Sequence, residues 1–338
     1  MRRCFSLKTA TLFGYYGYDN LGDELLCEES IRLLKEARFD RIYLLLRRDK
    51  VKAFSQPQVV PIDRFNPFKI LMAIVKSDVI VCGGGGIFQD QTSMKSLLYY
   101  ASIVRIGLMF RKPVLLLANS LGPLKHKLSK CVVRSLLHSK NVFFIARDEV
   151  SYRYARIVGA KNASLGTDLA IGAVERLPNC EKQKKISLCL KSELELDIVV
   201  ETAKMYGFET ILVPLSPQDR PACQKMAQKY ALAVSDEPMK ELTRSSLVVS
   251  QRFHGCLLAC LVGSPFVSLN SSKSRRFFER YFPKYEGFCV KEDPAQIALA
   301  IVKLSNSRLE SGRMIEDFRK MHDGVIAILR TLTKRKRG

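Results

Sequence analysis

Short apolar runs rich in β-branched residues alternate with helical patterns along most of the sequence, and this alternation constrains the fold more than any other feature. The runs are apolar at successive positions rather than at every second one, which is typical of strands buried on both faces of a parallel sheet. The sequence therefore predicts an α/β protein. In its first half the predicted strands are Thr9–Phe13, Arg41–Leu46, Val79–Cys82, Val114–Ala118 and Val142–Ile145.

A polar segment, AVERLPNCEKQKK at residues 173–185, interrupts the alternation, which then starts again. We therefore predict an N-terminal α/β domain (1–172), a linker (173–185), a C-terminal α/β domain (186–312) and a last helix with a basic tail (313–338). Both domains are expected to be Rossmann-like and doubly wound and to face a cleft. The predicted strands of the second half are Ile186–Leu190, Thr210–Val213, Leu232–Val234, Leu247–Ser250 and Pro265–Leu269.

Charge and cysteine content narrow the class of partner. The 338 residues include 55 Lys and Arg against 33 Asp and Glu, a net charge of +22, which attracts nucleic acids, anionic membranes or small phosphorylated anions. The basic residues are scattered and lack both a basic-aromatic RNA signature and zinc-finger spacing, so nucleic acid is not the expected partner. The 10 cysteines form no CxxC pair and no secretory signal is recognised, which favours a reduced, cytoplasmic protein.

The first predicted strand leads directly into GYYGYDNLGDE at residues 14–24. This segment contains three glycines, three tyrosines and three acidic residues, more than a simple turn needs. Ligands of doubly wound sheets lie beyond the carboxyl ends of the strands, where this segment is expected. Asn20 is suited to cap the following helix, with Asp23 as the far partner of a capping box. Alternatively, Asn20 or Asp23 serves as a base or orients a sugar hydroxyl, and both interpretations are open.

Four consecutive glycines follow another predicted strand, in GGGGIFQD at residues 83–90. Because glycines cost chain entropy, a purely structural turn is an unsatisfactory explanation. They predict backbone N–H groups wrapped around an anion, or close approach by a bulky ligand. The segment matches neither the phosphate-binding P-loop nor the dinucleotide-binding fingerprint.

Two further strand ends carry cations. Arg147, in ARDEVS, either binds a carboxylate or phosphate of a ligand or pairs with a neighbouring acid. In SQRFHG, Arg252 and His254 stand two residues apart at a strand-to-helix turn, an arrangement that favours catalysis over a structural role. Together these residues predict a site for a small, multiply charged anion. Metal-binding spacings are not recognised, so we expect group transfer that requires no metal.

Taken in order, these motifs resemble those of the polysaccharide pyruvyl transferase family, over about Thr9 to Leu269; the six segments are GYYGYDNLGDE, GGGGIFQDQTS, ANSLGPL, ARDEVS, GTDLA and SQRFHG. The chain looks most like the branch that modifies sugars of bacterial cell-surface polymers. The resemblance implies a fold similar to GT-B glycosyltransferases and phosphoenolpyruvate as the donor, with no cofactor required. It further implies a pyruvate ketal on two hydroxyls of a hexose, often N-acetylmannosamine, in a lipid-linked or polymeric saccharide.

The resemblance also assigns roles to residues. His254 is the expected general acid/base, since imidazoles exchange protons near neutral pH. Arg252 and Arg147 would hold the donor, and Asp23 would position or deprotonate the acceptor hydroxyl. The full donor set is Arg147, Arg252, Phe253, His254, Gly84, Gly85 and Lys273, and the acceptor set is Tyr16, Asn20, Asp23, Glu24 and Asp90.

The sequence departs from the family pattern at several positions. Phe253 replaces the usual leucine, and Asn119 with Ser120 replaces a frequent Gln-Gly pair. Leu169 replaces a proline, and Lys191 lies near a strand end where an arginine is frequent. These changes affect the expected acceptor, and one anion contact, more than the donor chemistry.

Two alternatives stay open. One is a GT-B-type glycosyltransferase that uses a nucleotide sugar. The other is a non-catalytic basic protein that binds anions or membranes, which leaves the R-x-H and four-glycine features unexplained. The positive charge is compatible with an enzyme located peripherally at the inner face of the plasma membrane, where a lipid-linked acceptor is found.

Overall fold

The computed structural model describes residues 7–269, 272–289 and 292–334. Within these residues the contacts divide the chain into two compact units. The first comprises residues 7–18, 23–169 and 317–334, and the second comprises residues 19–22 and the described part of 170–316.

The first unit contains a seven-stranded parallel sheet in the order β3-β2-β1-β4-β5-β6-β7. Ala10 of β1 lies opposite Ile42 of β2 on one side and Val79 of β4 on the other. The strands are β1 (Thr9–Phe13), β2 (Arg41–Leu46), β3 (Val59–Asp63), β4 (Val79–Phe88), β5 (Val114–Leu121), β6 (Val142–Ala146) and β7 (Asn162–Leu165).

Helices connect these strands, and their apolar faces cover the sheet. A buried core of side chains from β1, β4, β5, β6 and helices α3 to α5 lies on one face. The helices are α1 (Leu21–Glu36), α2 (Arg48–Val51), α3 (Pro67–Lys76), α4 (Met94–Met109), α5 (Lys127–Leu137) and α6 (Glu149–Ile157), followed by a 3₁₀ helix at Leu169–Arg176.

The second unit contains a six-stranded parallel sheet in the order β10-β9-β8-β11-β12-β13. It has a hydrophobic core of its own. The strands are β8 (Gln183–Cys189), β9 (Glu209–Leu212), β10 (Ala233–Val234), β11 (Ser245–Ser250), β12 (Phe266–Leu269) and β13 (Phe288–Cys289). The helices are α7 (Asp197–Met205), α8 (Arg220–Tyr230), α9 (Pro238–Arg244), α10 (Phe253–Leu261), α11 (Ser272–Phe278), α12 (Pro294–Leu304) and the first residues of α13 (Gly312–Lys334), with a 3₁₀ turn at Pro217–Asp219.

The elements differ from those expected at several places, and β4 and β5 run beyond their predicted ends to Phe88 and Leu121. Strands β3, β7 and β13 were not predicted; they lie at the edges of the sheets, and the sequences of β3 and β7, VVPID and NASL, lack a continuous apolar run. Conversely, part of the expected linker at residues 173–185 is regular structure. The 3₁₀ helix continues to Arg176, and β8 already begins at Gln183.

The last helix, predicted from about Arg313, spans Gly312–Lys334, and its part from Asp317 belongs to the first unit. There the backbone N–H of Thr167 donates to the Met321 sulfur at 3.3 Å. The end of the expected basic tail, residues 335–338, lies outside the described residues. Among those described, no helix combines the length and the apolar character needed to cross a membrane.

Both sheets have a point where the strand order reverses. In the first sheet the chain moves one way from β1 and the other way from β4, and in the second sheet β8 and β11 take these roles. Such switch points are where open parallel sheets bind ligands, beyond the carboxyl ends of the strands. The segments GYYGYDNLGDE and GGGGIFQD flank the first point, and SQRFHG and the segment SLCLKS (residues 187–192), which contains Lys191, flank the second.

Candidate functional site

At the switch point of the second unit, a buried glutamine joins the ends of two strands. The Gln251 Oε1 accepts hydrogen bonds from the backbone N–H groups of Lys191 (2.7 Å) and Ser192 (3.1 Å), just after β8. Its Nε2 donates to the Glu292 Oε1 at 2.8 Å. Gln251 follows β11 directly, so these bonds fix the starting point of the R-x-H segment. The sequence analysis missed this residue, whose only signal was its place between the strand and Arg252.

Arg252 is held in place by a carboxylate. Its Nε donates to the Asp219 Oδ2 at 3.1 Å, and its Nη2 donates to the Asp219 Oδ1. Asp219 is buried, whereas the Arg252 side chain is 25% exposed. The ion pair therefore occupies one edge of the guanidinium and leaves part of the group exposed at the start of α10. Arginine held in this way is suited to bind a carboxylate or phosphate through two parallel hydrogen bonds.

His254 lies in the first turn of α10 against the segment Asp19–Gly22, which by its contacts belongs to the second unit. A Cβ added to Gly22 would lie 2.6 Å from the His254 Cε1 and still closer to Nδ1, so only glycine leaves room for the ring. Asn20 caps the turn as predicted, because its Oδ1 accepts from the Gly22 N–H at 3.3 Å. The Leu21 N–H donates to the Leu215 carbonyl at 2.9 Å, which secures the segment.

The side chain of Phe253 lies in the core, and the donor-binding role that the family motif implies for this residue stays a prediction. It is buried, and its ring packs edge-on against Phe277, with centroids 5.2 Å apart, and also contacts Phe278. On its other side it meets the His254 ring at 5.0 Å. Phe253 is thus part of the core and restricts the imidazole from one side. Lys273 is exposed on α11, and its contact with the donor stays a prediction.

At the switch point of the first unit, Asp23 and Gly85 lie together. Gly85 has a φ of +93°, which favours glycine, and the Asp23 Oδ1 is 4.0 Å from where its Cβ would stand. Asp23 is half-buried in the first turn of α1. The arrangement brings a half-buried carboxylate next to the buried backbone of β4, and the acceptor role of Asp23 stays a prediction.

Gly83 and Gly84 have a structural explanation. They lie inside β4, which continues to Phe88 instead of ending at Cys82. A Cβ on Gly84 would meet the Leu26 side chain at 2.8 Å, and one on Gly83 would lie 2.5 Å from the Tyr16 hydroxyl. Close packing of α1 against the strand therefore requires glycine at position 84, and the predicted donor contact of Gly84 stays a prediction.

Tyr16 is not positioned to bind an acceptor sugar. It is 1% exposed, its hydroxyl donates to the Gly83 carbonyl, and burial raises its pKa well above the usual value. Tyr15 and Tyr18 stack on each other with ring centroids 4.0 Å apart, and the Arg64 guanidinium lies 5.5 Å from the Tyr18 ring. The tyrosines of GYYGY therefore stabilise the turn.

Glu24 also stabilises this turn. Its Oε1 accepts from the backbone N–H groups of Gly17 (2.8 Å) and Tyr18 (3.1 Å). Glu24 thus reaches back to the turn in the manner predicted for Asp23, which leaves the Asp23 carboxylate at Gly85. The Glu24 carboxylate, expected to bind the acceptor, is thus hydrogen-bonded to the turn.

Asp90, expected to bind the acceptor, instead orders the approach to α5. It is buried, and its two oxygens accept from the backbone N–H groups of Lys125 and His126, each at 2.8 Å. Burial opposes ionisation, but these hydrogen bonds outweigh it and lower the pKa of Asp90 to about 2. Its position next to a helix N-terminus favours the same charge.

Arg147 pairs with a neighbouring acid, as the structural alternative predicts, and its contact with the donor stays a prediction. Its guanidinium is buried, with Nη1 at 3.0 Å from the Asp168 Oδ2 and Nε donating to the Ser120 hydroxyl at 3.0 Å. The Ser120 hydroxyl in turn donates to the Asp148 Oδ2 at 2.7 Å. Ser120 departs from the family pattern, and here it links a buried cation to a second carboxylate.

Two α/β units with parallel sheets, each with its motif residues at a switch point, define a protein of the GT-B type. The chain belongs to the polysaccharide pyruvyl transferase family, whose sequence model matches residues 20–273. The family implies a transferase that acts on polysaccharide.

Solved structures with low sequence identity support the fold. The UDP-GlcNAc 2-epimerase of Neisseria meningitidis, bound to UDP-GlcNAc, has a TM-score of 0.60 at 12% identity, and the match covers 96% of this chain and 99% of that one. The same enzyme from Methanocaldococcus jannaschii, in complex with UDP-GlcNAc and UDP, gives 0.59 at 12% identity with the same coverage. The wall teichoic acid polymerase TagF gives 0.57 at 10% identity, covering 98% of this chain and 89% of that one. No curated protein sequence matches the chain significantly.

Proposed function

We propose that this protein transfers the pyruvyl group of phosphoenolpyruvate to a saccharide and releases phosphate. The acceptor is a sugar of a cell-surface polysaccharide or of its lipid-linked precursor, and the product is a cyclic pyruvate ketal. The reaction takes place in the cytoplasm, at the inner face of the plasma membrane where the precursor is lipid-linked. It requires no metal or cofactor.

The observation that carries the proposal is the pairing of a fixed arginine with a histidine at one switch point. Phosphoenolpyruvate has a carboxylate and a phosphate, and Arg252, oriented by Asp219, offers the exposed part of its guanidinium to such a group. His254 lies two residues further on, in the first turn of α10. An arginine for the anion and an imidazole for the proton are the two groups that the chemistry needs.

The reaction balances with these two groups. The oxygen of one acceptor hydroxyl bonds to the carbon that carries phosphate as the carbon–carbon double bond opens. The proton of that hydroxyl passes through His254 to the methylene carbon, which becomes a methyl group. The second hydroxyl then bonds to the same carbon, the carbon–oxygen bond to phosphate breaks, and the second hydroxyl proton leaves with the phosphate. We assign proton transfer to His254 and charge stabilisation on the departing phosphate to Arg252.

The acceptor role is assigned chiefly to Asp23 of the first unit. Asp23 lies next to the backbone of Gly85, so its carboxylate can orient or deprotonate a sugar hydroxyl placed there. Asn20 is committed to the Gly22 N–H through Oδ1, which makes it a secondary contributor. Tyr16, Glu24 and Asp90 are left out of the acceptor set because their polar atoms serve the fold.

Calorimetric titration with phosphoenolpyruvate tests the donor. Saturable binding is expected in the unmodified protein and its loss in Arg252→Ala. Arg220→Ala is the matched control, because Arg220 lies next to Asp219 but pairs on the surface with Asp236 at 2.7 Å. Equal binding by all three proteins would remove Arg252 from the donor site. Release of phosphate on addition of a saccharide acceptor then tests transfer, and binding without any turnover would favour a non-catalytic anion-binding protein.

A glycosyltransferase reaction is the second candidate. The two epimerase structures contain UDP-GlcNAc, and the TagF structure was soaked with CDPG, so this fold accommodates nucleotide-linked donors in other proteins. The same calorimetric titration with UDP-GlcNAc separates the two reactions. Binding of the nucleotide sugar in place of phosphoenolpyruvate would replace pyruvyl transfer by glycosyl transfer.

A further inference from the structure

We propose that helix α3 docks the protein on the surface of an anionic lipid bilayer. This goes beyond the transfer reaction and does not depend on it. The docking surface, called the α3 face below, consists of five exposed apolar residues: Phe65, Phe68, Leu71, Met72 and Val75.

Helix α3 is apolar on two opposite sides. Ile70, Ala73 and Ile74 are buried in the core of the first unit. On the outer side, where a helix of a globular protein normally carries polar residues, Phe68 is 80% exposed and Met72 lies beside it one turn further on. At 3.6 residues per turn, Phe68, Leu71, Met72 and Val75 share one stripe along the helix. Scattered single apolar residues are ordinary on surfaces, but a contiguous stripe marks an interaction surface.

Basic residues border the α3 face. Lys69 and Lys76 are exposed along one edge of the stripe, and neither has an ion-pair partner among the described residues. The sequence of α3, PFKILMAIVK, contains no acidic residue. At the end of the helix, the Lys112 Nζ donates to the Val75 and Ser77 carbonyls at 2.7 and 2.6 Å.

These Lys112 bonds place the turn between α4 and β5 beside α3. Met109 at the end of α4 and Phe110 and Arg111 on the turn are exposed, so this region adds two further apolar side chains and a cation. An apolar stripe edged by lysines is the composition of helices that lie in the plane of a membrane interface.

Charge decides between a bilayer and a second copy of this chain. Pairing two copies through the α3 face would bring together two proteins of net charge +22, with their lysine edges close to each other. An anionic bilayer instead attracts each lysine and accepts the apolar stripe at the boundary of its acyl chains. An anionic lipid bilayer is therefore the partner that fits both the lysine edge and the apolar stripe of the α3 face.

Co-sedimentation with vesicles tests the proposal without any substrate. The protein is expected to bind vesicles of phosphatidylglycerol and phosphatidylcholine in equal parts, and to bind pure phosphatidylcholine much more weakly. Phe68→Ser with Met72→Ser should lower the partition coefficient by about tenfold or more, because two apolar side chains no longer enter the interface. Lys69→Gln with Lys76→Gln should lower it about 25-fold, from roughly fivefold per lysine.

Matched variants elsewhere on the surface serve as controls. Ile157→Ser with Met205→Ser removes two side chains that are each 83% exposed, and Lys127→Gln with Lys130→Gln removes two exposed lysines of α5. Both should leave the partition coefficient within about twofold of the unmodified protein. Equal losses from the controls and the α3 variants would overturn the proposal. So would a dimer, measured by light scattering, that becomes monomeric only in the Phe68→Ser, Met72→Ser protein, since the α3 face would then bind a second copy.

Discussion

His254 owes its position to two neighbours that the R-x-H motif does not single out. The Phe253 ring lies edge-on to the imidazole at 5.0 Å, and Gly22 leaves the space that the other side of the ring occupies. Gly22 is not required by its backbone angles, because it is not among the residues with a positive φ. Glycine is needed at position 22 because it leaves room for the His254 ring. A larger residue there would therefore displace the ring.

We expect Gly22→Ala to lower kcat about 100-fold with little change in thermal stability. The added methyl group overlaps the His254 ring, which must turn away, and a displacement of about 1 Å in a catalytic group costs a factor of this size. Steady-state kinetics and thermal unfolding of the variant measure the two effects. Gly324→Ala is the control, since nothing lies within 4 Å of its added Cβ. An active Gly22→Ala enzyme would show that His254 can move without harm.

Asp219 is a second position at which substitution should act through a neighbour. In Asp219→Asn the carboxylate that orients Arg252 is replaced by an amide, which can accept only one, weaker hydrogen bond from the Arg252 guanidinium. We expect KM for phosphoenolpyruvate to rise about tenfold while kcat changes less, corresponding to loss of about 1.4 kcal/mol in donor binding. Kinetics with varied donor concentration measure the split. A fall in kcat at constant KM would mean that Asp219 acts on the chemical step instead.

At this scale the sequence points to candidate reactive groups more readily than to the residues that support them. Arg252, His254 and Asp23 were recognised because their residue types stand at the ends of predicted strands. Asp219 and Gln251 were not recognised, because their partners lie 33 and 60 residues away along the chain. A local sequence pattern does not indicate pairs so far apart. Arg147 was ambiguous for the same reason, as its partner Asp168 is 21 residues away.

Among the elements, α5 depends on the carboxylate of Asp90. We expect Asp90→Asn to lower the free energy of unfolding by about 1 kcal/mol at pH 7, the typical value of a helix cap. The native pKa of about 2 lies below the usual value, so the carboxylate stabilises the fold above about pH 4, and this contribution is lost as the pH falls through 2. The difference between the two proteins should therefore shrink between pH 4 and pH 2.

Urea unfolding at several pH values measures this difference. Asp49→Asn is the control, because Asp49 is an exposed partner of Arg47 at 2.7 Å and should matter less. A stability loss in Asp90→Asn that does not depend on pH would show that the charge of Asp90 is not what stabilises the helix.

Strand β4 should be intolerant of side chains at its glycines. In Gly83→Ala the new methyl group collides with Ser30 and lies 2.5 Å from the Tyr16 hydroxyl, and both side chains are buried. We expect a loss of about 1–3 kcal/mol in stability, as for other overpacked cores. Urea unfolding against the control Gly312→Ala, whose Cβ meets nothing within 4 Å, measures it. Unchanged stability would mean that α1 can shift away from the strand.

The elements themselves divide into those that the sequence predicts and those that it does not. Central strands such as β1 and β2 agree with the predicted bounds, since burial on both faces demands an unbroken apolar run. Edge strands such as β3 and β7 need only half of that burial, so VVPID and NASL resemble loops. The glycines of β4 misled the prediction because a run of glycine is usually found in turns.

At the scale of the whole molecule, each unit has a hydrophobic core made from its own residues, and each core contains a buried thiol. Cys82 belongs to the core of the first unit and Cys223 to that of the second. Burial raises the pKa of Cys82 far above its usual value and that of Cys223 to about 11, so both thiols are protected while their unit is folded. The exposed Cys131 provides an internal reference that reacts at all urea concentrations.

These thiols can test whether the two cores unfold separately. Pulsed alkylation across a urea series, read by peptide mass spectrometry, should show Cys82 of Gly83→Ala reacting at lower urea than in the unmodified protein. The urea dependence of Cys223 should stay unchanged, because the added methyl group strains contacts of the first unit alone. A parallel shift of both thiols would contradict this and would mean that the two cores unfold as one cooperative unit.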